Sequence, residues 1–193
     1  RKQRIGQARP ELQQLVGRQR GPDRHRAAAL AAQAGYAFRA RFSPTLLLEY
    51  DFANGDDNPS DGRSGELHNL FPTNHYHYGH ADLIGWRNLH DFRATLAAQL
   101  HAQLRLQGDY HRFLLASRRG RWSSAGGQTL GFVPTGTVGR DLGQELDLMT
   151  RLTPNKYLQF EAGYSIFVPG TFARATRGPE LHHFGYLMIS ARF

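Results

Sequence analysis

Cysteine is absent, so the chain has no disulfide framework and no thiolate chemistry. Long apolar runs are absent too: no stretch approaches the roughly 20 residues that a membrane helix needs. The mean hydropathy of −0.54 reads as that of a soluble chain. That index is blind to membrane β-strands, whose alternating residues average out as polar. No GxSxG nucleophile motif occurs. The glycine-rich stretches 126–132 and 136–143 lack the strand–helix setting that phosphate binding requires. No enzyme is expected. The first residues, Arg1-Lys2-Gln3-Arg4, include neither an initiator Met nor a signal peptide, so a mature form or a fragment is expected.

The net charge of +8 is unevenly spread. Residues 1–26 hold Arg1, Lys2, Arg4, Arg9, Arg18, Arg20, Arg24 and Arg26 against Glu11 and Asp23. Such an arm can bind nucleic acid or anionic lipid. The spacing reads more simply as a solvated loop, with no nucleic-acid partner.

Beyond it, period two recurs. Leu46, Leu48, Tyr50 and Phe52 share one face, with Glu49 and Asp51 on the other. Phe92, Ala94, Leu96 and Leu100 oppose Asp91 and Arg93, and Leu104, Leu106 and Tyr110 oppose Arg105 and Asp109. Leu146, Leu148 and Leu152 oppose Glu145, Asp147 and Arg151, while Leu158, Phe160, Tyr164 and Ile166 oppose Glu161. The terminal segment sets Leu187, Ile189 and Phe193 against Arg192. The alanine-rich stretch from residue 27 suits a helix by propensity. Its end, with Tyr36, Phe38 and Phe42 against Arg39 and Arg41, fits a strand better. Seven strands are predicted: 27–42, 45–54, 88–100, 103–116, 141–153, 156–168 and 182–193.

Tight turns are predicted at 43–44, 101–103 and 153–155, and long links at 55–87, 117–140 and 169–181. Strict alternation of short and long links is the habit of a transmembrane barrel, with turns at the periplasmic end and loops at the outer end. The faces agree: one is apolar with aromatics toward its ends, as a lipid belt requires. The other carries charges in mid-strand, which a packed core would reject and a hydrated lumen would accept. The lumen-facing candidates are Arg39, Arg41, Glu49, Asp51, Asp91, Arg93, Arg105, Asp109, Glu145, Asp147, Arg151, Glu161 and Arg192. The expectation is an all-β, antiparallel transmembrane β-barrel. Residues 27–193 are its C-terminal part and 1–26 the remnant of a basic extracellular loop. Seven strands do not close such a barrel, so a larger one is expected; an eight-stranded barrel with one strand within 1–26 is the other reading, but that segment shows no alternation.

Tyr50-Asp51, then Gly55-Asp56-Asp57-Asn58-Pro59, Leu70-Phe71-Pro72-Thr73, His75, Gly79, Asp82-Leu83, Trp86 and Asn88-Leu89 resemble the signature of the alginate-export outer-membrane porins. The stretches 139–148 and 163–172 resemble the family's closing strands. The resemblance implies an outer-membrane barrel of sixteen to eighteen strands. It implies passive export or diffusion of polyuronate or other small hydrophilic solutes. It also implies that the terminal strand, ending in Phe193, is read by the outer-membrane assembly machinery. Its partners would be the lipid bilayer, that machinery, and an anionic polysaccharide or small solutes. The links 55–87 and 117–140 are then candidate gates.

Lumenal arginines can pair with uronate carboxylates. Here they are nearly balanced by carboxylates, so a salt-bridge ladder bracing the wall is an equal reading. Asp56, Asp57 and Asp61, with Asn58, form a weak Ca²⁺ candidate that lacks EF-hand spacing; a plain turn is the simpler reading, and no other cofactor is expected. His75, His77 and His80 are metal-ligating residue types without a recognisable spacing. Two further readings stay open: a small non-pore barrel for adhesion or anchoring, and a soluble β-sheet binding module.

Overall fold

The computed structural model describes residues 11–15, 24–58, 60–69 and 75–193, with the side chains of 11–15 and of Arg24 left out. The strands are β1 (Glu11–Leu15), β2 (Arg24–His25), β3 (Ala27–Ala37), β4 (Thr45–Ala53), β5 (Arg63–Ser64), β6 (Leu89–His101), β7 (Leu104–Leu115), β8 (Arg121–Ser123), β9 (Thr129–Phe132), β10 (Asp141–Leu152), β11 (Leu158–Pro169) and β12 (His182–Ala191), with one helix, α1 (Thr171–Arg177). The structure is thus all-β with one short helix. No described helix is long and apolar enough to cross a membrane, which says nothing of β-barrels.

Eight strands form one sheet in the order β1-β3-β4-β6-β7-β10-β11-β12. Every neighbouring pair is antiparallel. The outer strands β1 and β12 do not pair with each other, and the described residues form no closed barrel.

The alternation read from the sequence recurs as two faces. Leu48, Leu96, Leu148, Tyr164, Leu187 and Ile189 are exposed. The intervening Asp51, Asp91, Asp109, Glu145, Asp147 and Glu161 are at most 3% exposed. Thr95, Ala97, Phe113 and Phe167, on the charged face, are buried as well.

Three expectations change. The segment 1–26, read as loop, contains β1, which pairs Glu11–Leu15 with Ala27–Ala31 as an eighth strand of the main sheet. The first long strand stops at Ala37 rather than residue 42, because the chain turns there. Phe42 and Ser43 adopt φ of 70° and 43°, and the Ser43 N–H donates to the Ala40 carbonyl at 3.0 Å. A strand cannot continue through left-handed backbone. The long links, finally, are not open loops. Between β4 and β6, β5 pairs in parallel with β2. Between β7 and β10, β8 and β9 form a hairpin. The link from β11 to β12 folds as α1.

These links pack together at one end of the sheet. Ile84, Trp122, Phe172 and Ala173 join Leu89, Phe113, Leu115, Leu142 and Phe167 in one apolar cluster. Its polar centre is Asn88, which is fully buried. The Asn88 Oδ1 accepts the Ser117 N–H at 2.6 Å, while its Nδ2 donates to the Ser117 and Arg121 carbonyls at 3.0 and 3.2 Å. One amide thus ties together backbone groups of the β7–β10 link, sharing the Ser117 carbonyl with the Gly120 N–H.

Candidate functional site

The charged face and the turn 75–82 that lies on it form the site. Strand register places the groups. Glu49 stands opposite Arg93, Asp51 opposite Asp91, Asp109 opposite Asp147, His111 opposite Glu145, and Arg151 opposite both Arg105 and Glu161. Short distances pick out the working pairs. Arg93 donates to Asp109 at 3.1 Å, and Gln107 donates to the other Asp109 oxygen at 2.9 Å. The Thr95 hydroxyl also donates to Asp109. His111 Nδ1 lies 2.9 Å from Asp91, and its Nε2 lies 3.8 Å from Asp147. Arg151 grips Glu161 through Nε and Nη2, at 2.9 and 2.7 Å.

The turn docks on this wall. The Ala81 N–H donates to Glu145 Oε1 at 2.9 Å. Gly79 has φ of 84°, and a Cβ there would lie 2.5 Å from the same oxygen. Glycine alone combines that backbone with that approach. Tyr76 and Tyr186 both donate to Glu161 Oε1, at 3.3 and 2.8 Å. Tyr186 reaches it by lying across Gly163, where a side chain would collide with its ring. The His80 ring stacks on Tyr186 with centroids 5.7 Å apart and planes 12° apart. His75 pairs with Asp82 at 2.9 Å within the turn.

Burial dominates the electrostatics of the link. It pushes His80 below its ordinary value of 6.5, with His75 and Arg93 acting in the same direction and Asp147 and Asp109 against it. It holds His68 down and lifts the Tyr76 and Tyr78 phenols. Glu66 is raised by burial even though Arg87 lies 3.1 Å away. For His80 the depressed value means that docking is favoured above pH 6.5 and loses stability as acid charges the free turn before the docked one. The protection of the Ala81 amide against hydrogen exchange, corrected for the intrinsic rate, is expected to fall as the pH drops below 6.5. Protection that is constant over that range would exclude His80 as the titrating group.

The structure gathers Asp51, Asp91, Arg93, Asp109, Glu145, Asp147, Arg151 and Glu161, with Glu49 and Arg105, on one face. It does not bring Arg39 and Arg41 there. Both lie beyond the end of β3 in the exposed turn, since the alternation that placed them on the wall ends with the strand. Arg192 lies one residue past β12, its N–H donating to the Tyr157 carbonyl at 2.9 Å, and Phe193 is fully exposed. Of the motif residues, Gly55, Asp56, Asp57 and Asn58 lead into the link, while His75 and Trp86 belong to the packed assembly. Pro59, Phe71 and Pro72 fall outside the described residues.

Asp56 and Asp61 accept the backbone N–H groups of Asn58 and Arg63, at 3.1 and 2.9 Å, as turn residues do. No group of three or more metal-ligating side chains with suitable geometry occurs among the described residues, either there or around His75, His77 and His80.

The lumen-facing candidates omit His111, Tyr186 and Thr95, and Asn88 enters only as a residue of the family motif. His111 and Thr95 stand on the inward parity of their strands, a signal that was available. The bond from Tyr186 to Glu161 depends on which strands are neighbours, and that is a tertiary fact.

No curated protein matches the chain. A family model described as alginate export matches residues 10–186, which is most of the sequence, and the chain belongs to that alginate export family.

Proposed function

We propose that the chain forms part of an outer-membrane β-barrel porin that passes polyuronate, or other small hydrophilic solutes, by passive diffusion. The observation that carries this reading is a sheet with its apolar face exposed and its charged face covered. A soluble protein has no reason to leave Leu48, Leu96, Leu148, Leu187 and Ile189 in water together. Lipid on that face removes the conflict.

The strands suit a bilayer. From β3 to β12 the main-sheet strands run 9 to 13 residues, against the roughly 9–11 that cross a membrane. Tyr50, Tyr110 and Tyr164 stand on the apolar face with their hydroxyls bonded at 2.8 Å to His90, Gln144 and His183, polar residues nearer the long-link end. An aromatic girdle places rings and hydroxyls in this way. The short turns then face the periplasm and the packed links face outward. The two unpaired edges are completed by further strands of a larger barrel, and Phe193 serves as the assembly signal.

On this reading the link between β4 and β6 narrows the pore from within. The turn 75–82 covers the wall at Glu145 and Glu161, so solute passage depends on whether it stays docked. The wall itself bears more carboxylates than guanidinium groups. Asp51, Glu145 and Asp147 are buried beside neighbouring carboxylates, Asp51 near Glu49 and Glu145 near Asp147.

Planar-bilayer recordings of the full-length gene product test the proposal. Stepwise conductance, reduced by added oligouronate, is the expected result. Conductance indifferent to oligouronate would remove polyuronate from the reading. Its absence from protein shown to be inserted would overturn the pore.

A further inference from the structure

The apolar face has a charged spot, and it sits at one level. On the main-sheet strands from β3 to β12, Arg112 is the arginine that points to that face among the described residues, and Asp141, at the start of β10, is the carboxylate. Register settles the side: Arg112 stands opposite Phe92 on β6 and Gln144 on β10, in the row that also holds Tyr50. Its Nη1 donates to the Gly143 carbonyl at 3.2 Å and lies 2.9 Å from Asp141. Its side chain remains 38% exposed.

Arg112 has company. Arg140 is exposed at the neighbouring position before β10 and is close enough to His90 to act on it electrostatically. His90 lies on the apolar face of β6, its Nδ1 bonded to Tyr50 at 2.8 Å. Asp141 pairs with Arg112, and Arg140 adds a second guanidinium near His90, so among the described residues the spot holds one more arginine than carboxylate. The cluster borders the tyrosine level at the long-link end.

In a bilayer this position decides what the spot meets. An arginine on the lipid face costs about 2–4 kcal/mol at the midplane and close to nothing at the interface. Its guanidinium is a planar donor suited to phosphate oxygens. Resting on the membrane reading above, we propose that Arg112 and Arg140, with His90, bind the anionic phosphate of a lipid headgroup in the outer leaflet. The bulge between Asp141 and Gly143 helps to shape the site: it turns the Gly143 carbonyl to Arg112, holding the guanidinium beside the strand.

The test uses the full-length product in detergent, titrated with phosphatidylglycerol and followed by native mass spectrometry. A parallel sample is inserted into phosphatidylcholine vesicles to verify membrane integration. Wild type is expected to bind phosphatidylglycerol saturably. R112A/R140A should bind about tenfold more weakly or worse, at roughly 1 kcal/mol per basic residue near a membrane surface. R140E, a change at an exposed side chain that leaves folding intact, should weaken binding by itself. R112K/R140K should recover part of it. Equal affinity in wild type, R112A/R140A and R140E, with integration intact, would overturn the lipid site and leave the membrane reading standing. Failure of wild type to integrate would overturn both.

Discussion

Replacing Gly79 by leucine is expected to free the turn 75–82 from the wall and to raise the single-channel conductance of the full-length protein. Two effects act together. Residue 79 has φ of 84°, a conformation that costs a side-chain-bearing residue about 1–2 kcal/mol. A Cβ there would also press on Glu145, 2.5 Å from Oε1, and displace the acceptor of the Ala81 N–H. The hydrogen bond from the Ala81 N–H contributes about 0.5–1.5 kcal/mol. The docked state should therefore lose roughly 2 kcal/mol, about thirtyfold in the docking equilibrium.

Conductance in planar bilayers and exchange protection of Ala81 report the pore and the contact separately. Glu145→Ala should reproduce the effect by removing the acceptor. Glu145→Gln, which keeps a carbonyl at the same place, should do so less. If Gly79→Leu loses the amide protection and the conductance stays the same, the turn is docked but is no constriction.

Asn88→Ala should be the most destabilising single change in the packed links. Asn88 is fully buried, and its amide serves the Ser117 N–H and the Ser117 and Arg121 carbonyls. Truncation removes the partner of the Ser117 N–H and of the Arg121 carbonyl, while the Ser117 carbonyl keeps the Gly120 N–H at 3.3 Å; the cost is about 1–3 kcal/mol for each group left unpaired. Asn88 also holds φ of 49°, which asparagine tolerates better than alanine. A loss of about 3–5 kcal/mol is expected in urea unfolding of the vesicle-inserted protein. Asn88→Asp keeps the acceptor and lacks the donor, so it should fall between the two. A loss below about 1 kcal/mol for the alanine variant would mean that the links pack without Asn88 as their centre.

The two predictions rest on different parts of the sequence. Gly79, Trp86 and Asn88 all belong to the stretch that carries the family resemblance. Nothing in their spacing tells that Gly79 lies on a glutamate 66 positions later, or that Asn88 reaches across to Ser117. Such contacts join segments far apart in the chain, and no local periodicity encodes them.

The sequence by itself determined the two-faced strands. Period two is a property of extended backbone, so Leu146, Leu148 and Leu152 had to oppose Glu145, Asp147 and Arg151 wherever the strand lay. It also determined the alternation of short and long links, because turn residues are local signals, and the family, whose motif residues are read in order. Tertiary structure alone decided the rest. It ended β3 at Ala37, where the turn took Arg39 and Arg41 off the wall, and added β1 from a segment without visible alternation. It folded the links onto the charged face, so that carboxylates expected to meet water became buried beneath the turn 75–82. The physical reason is shared: alternation says which side of a strand a residue faces, but only the packing of distant segments decides what covers that side.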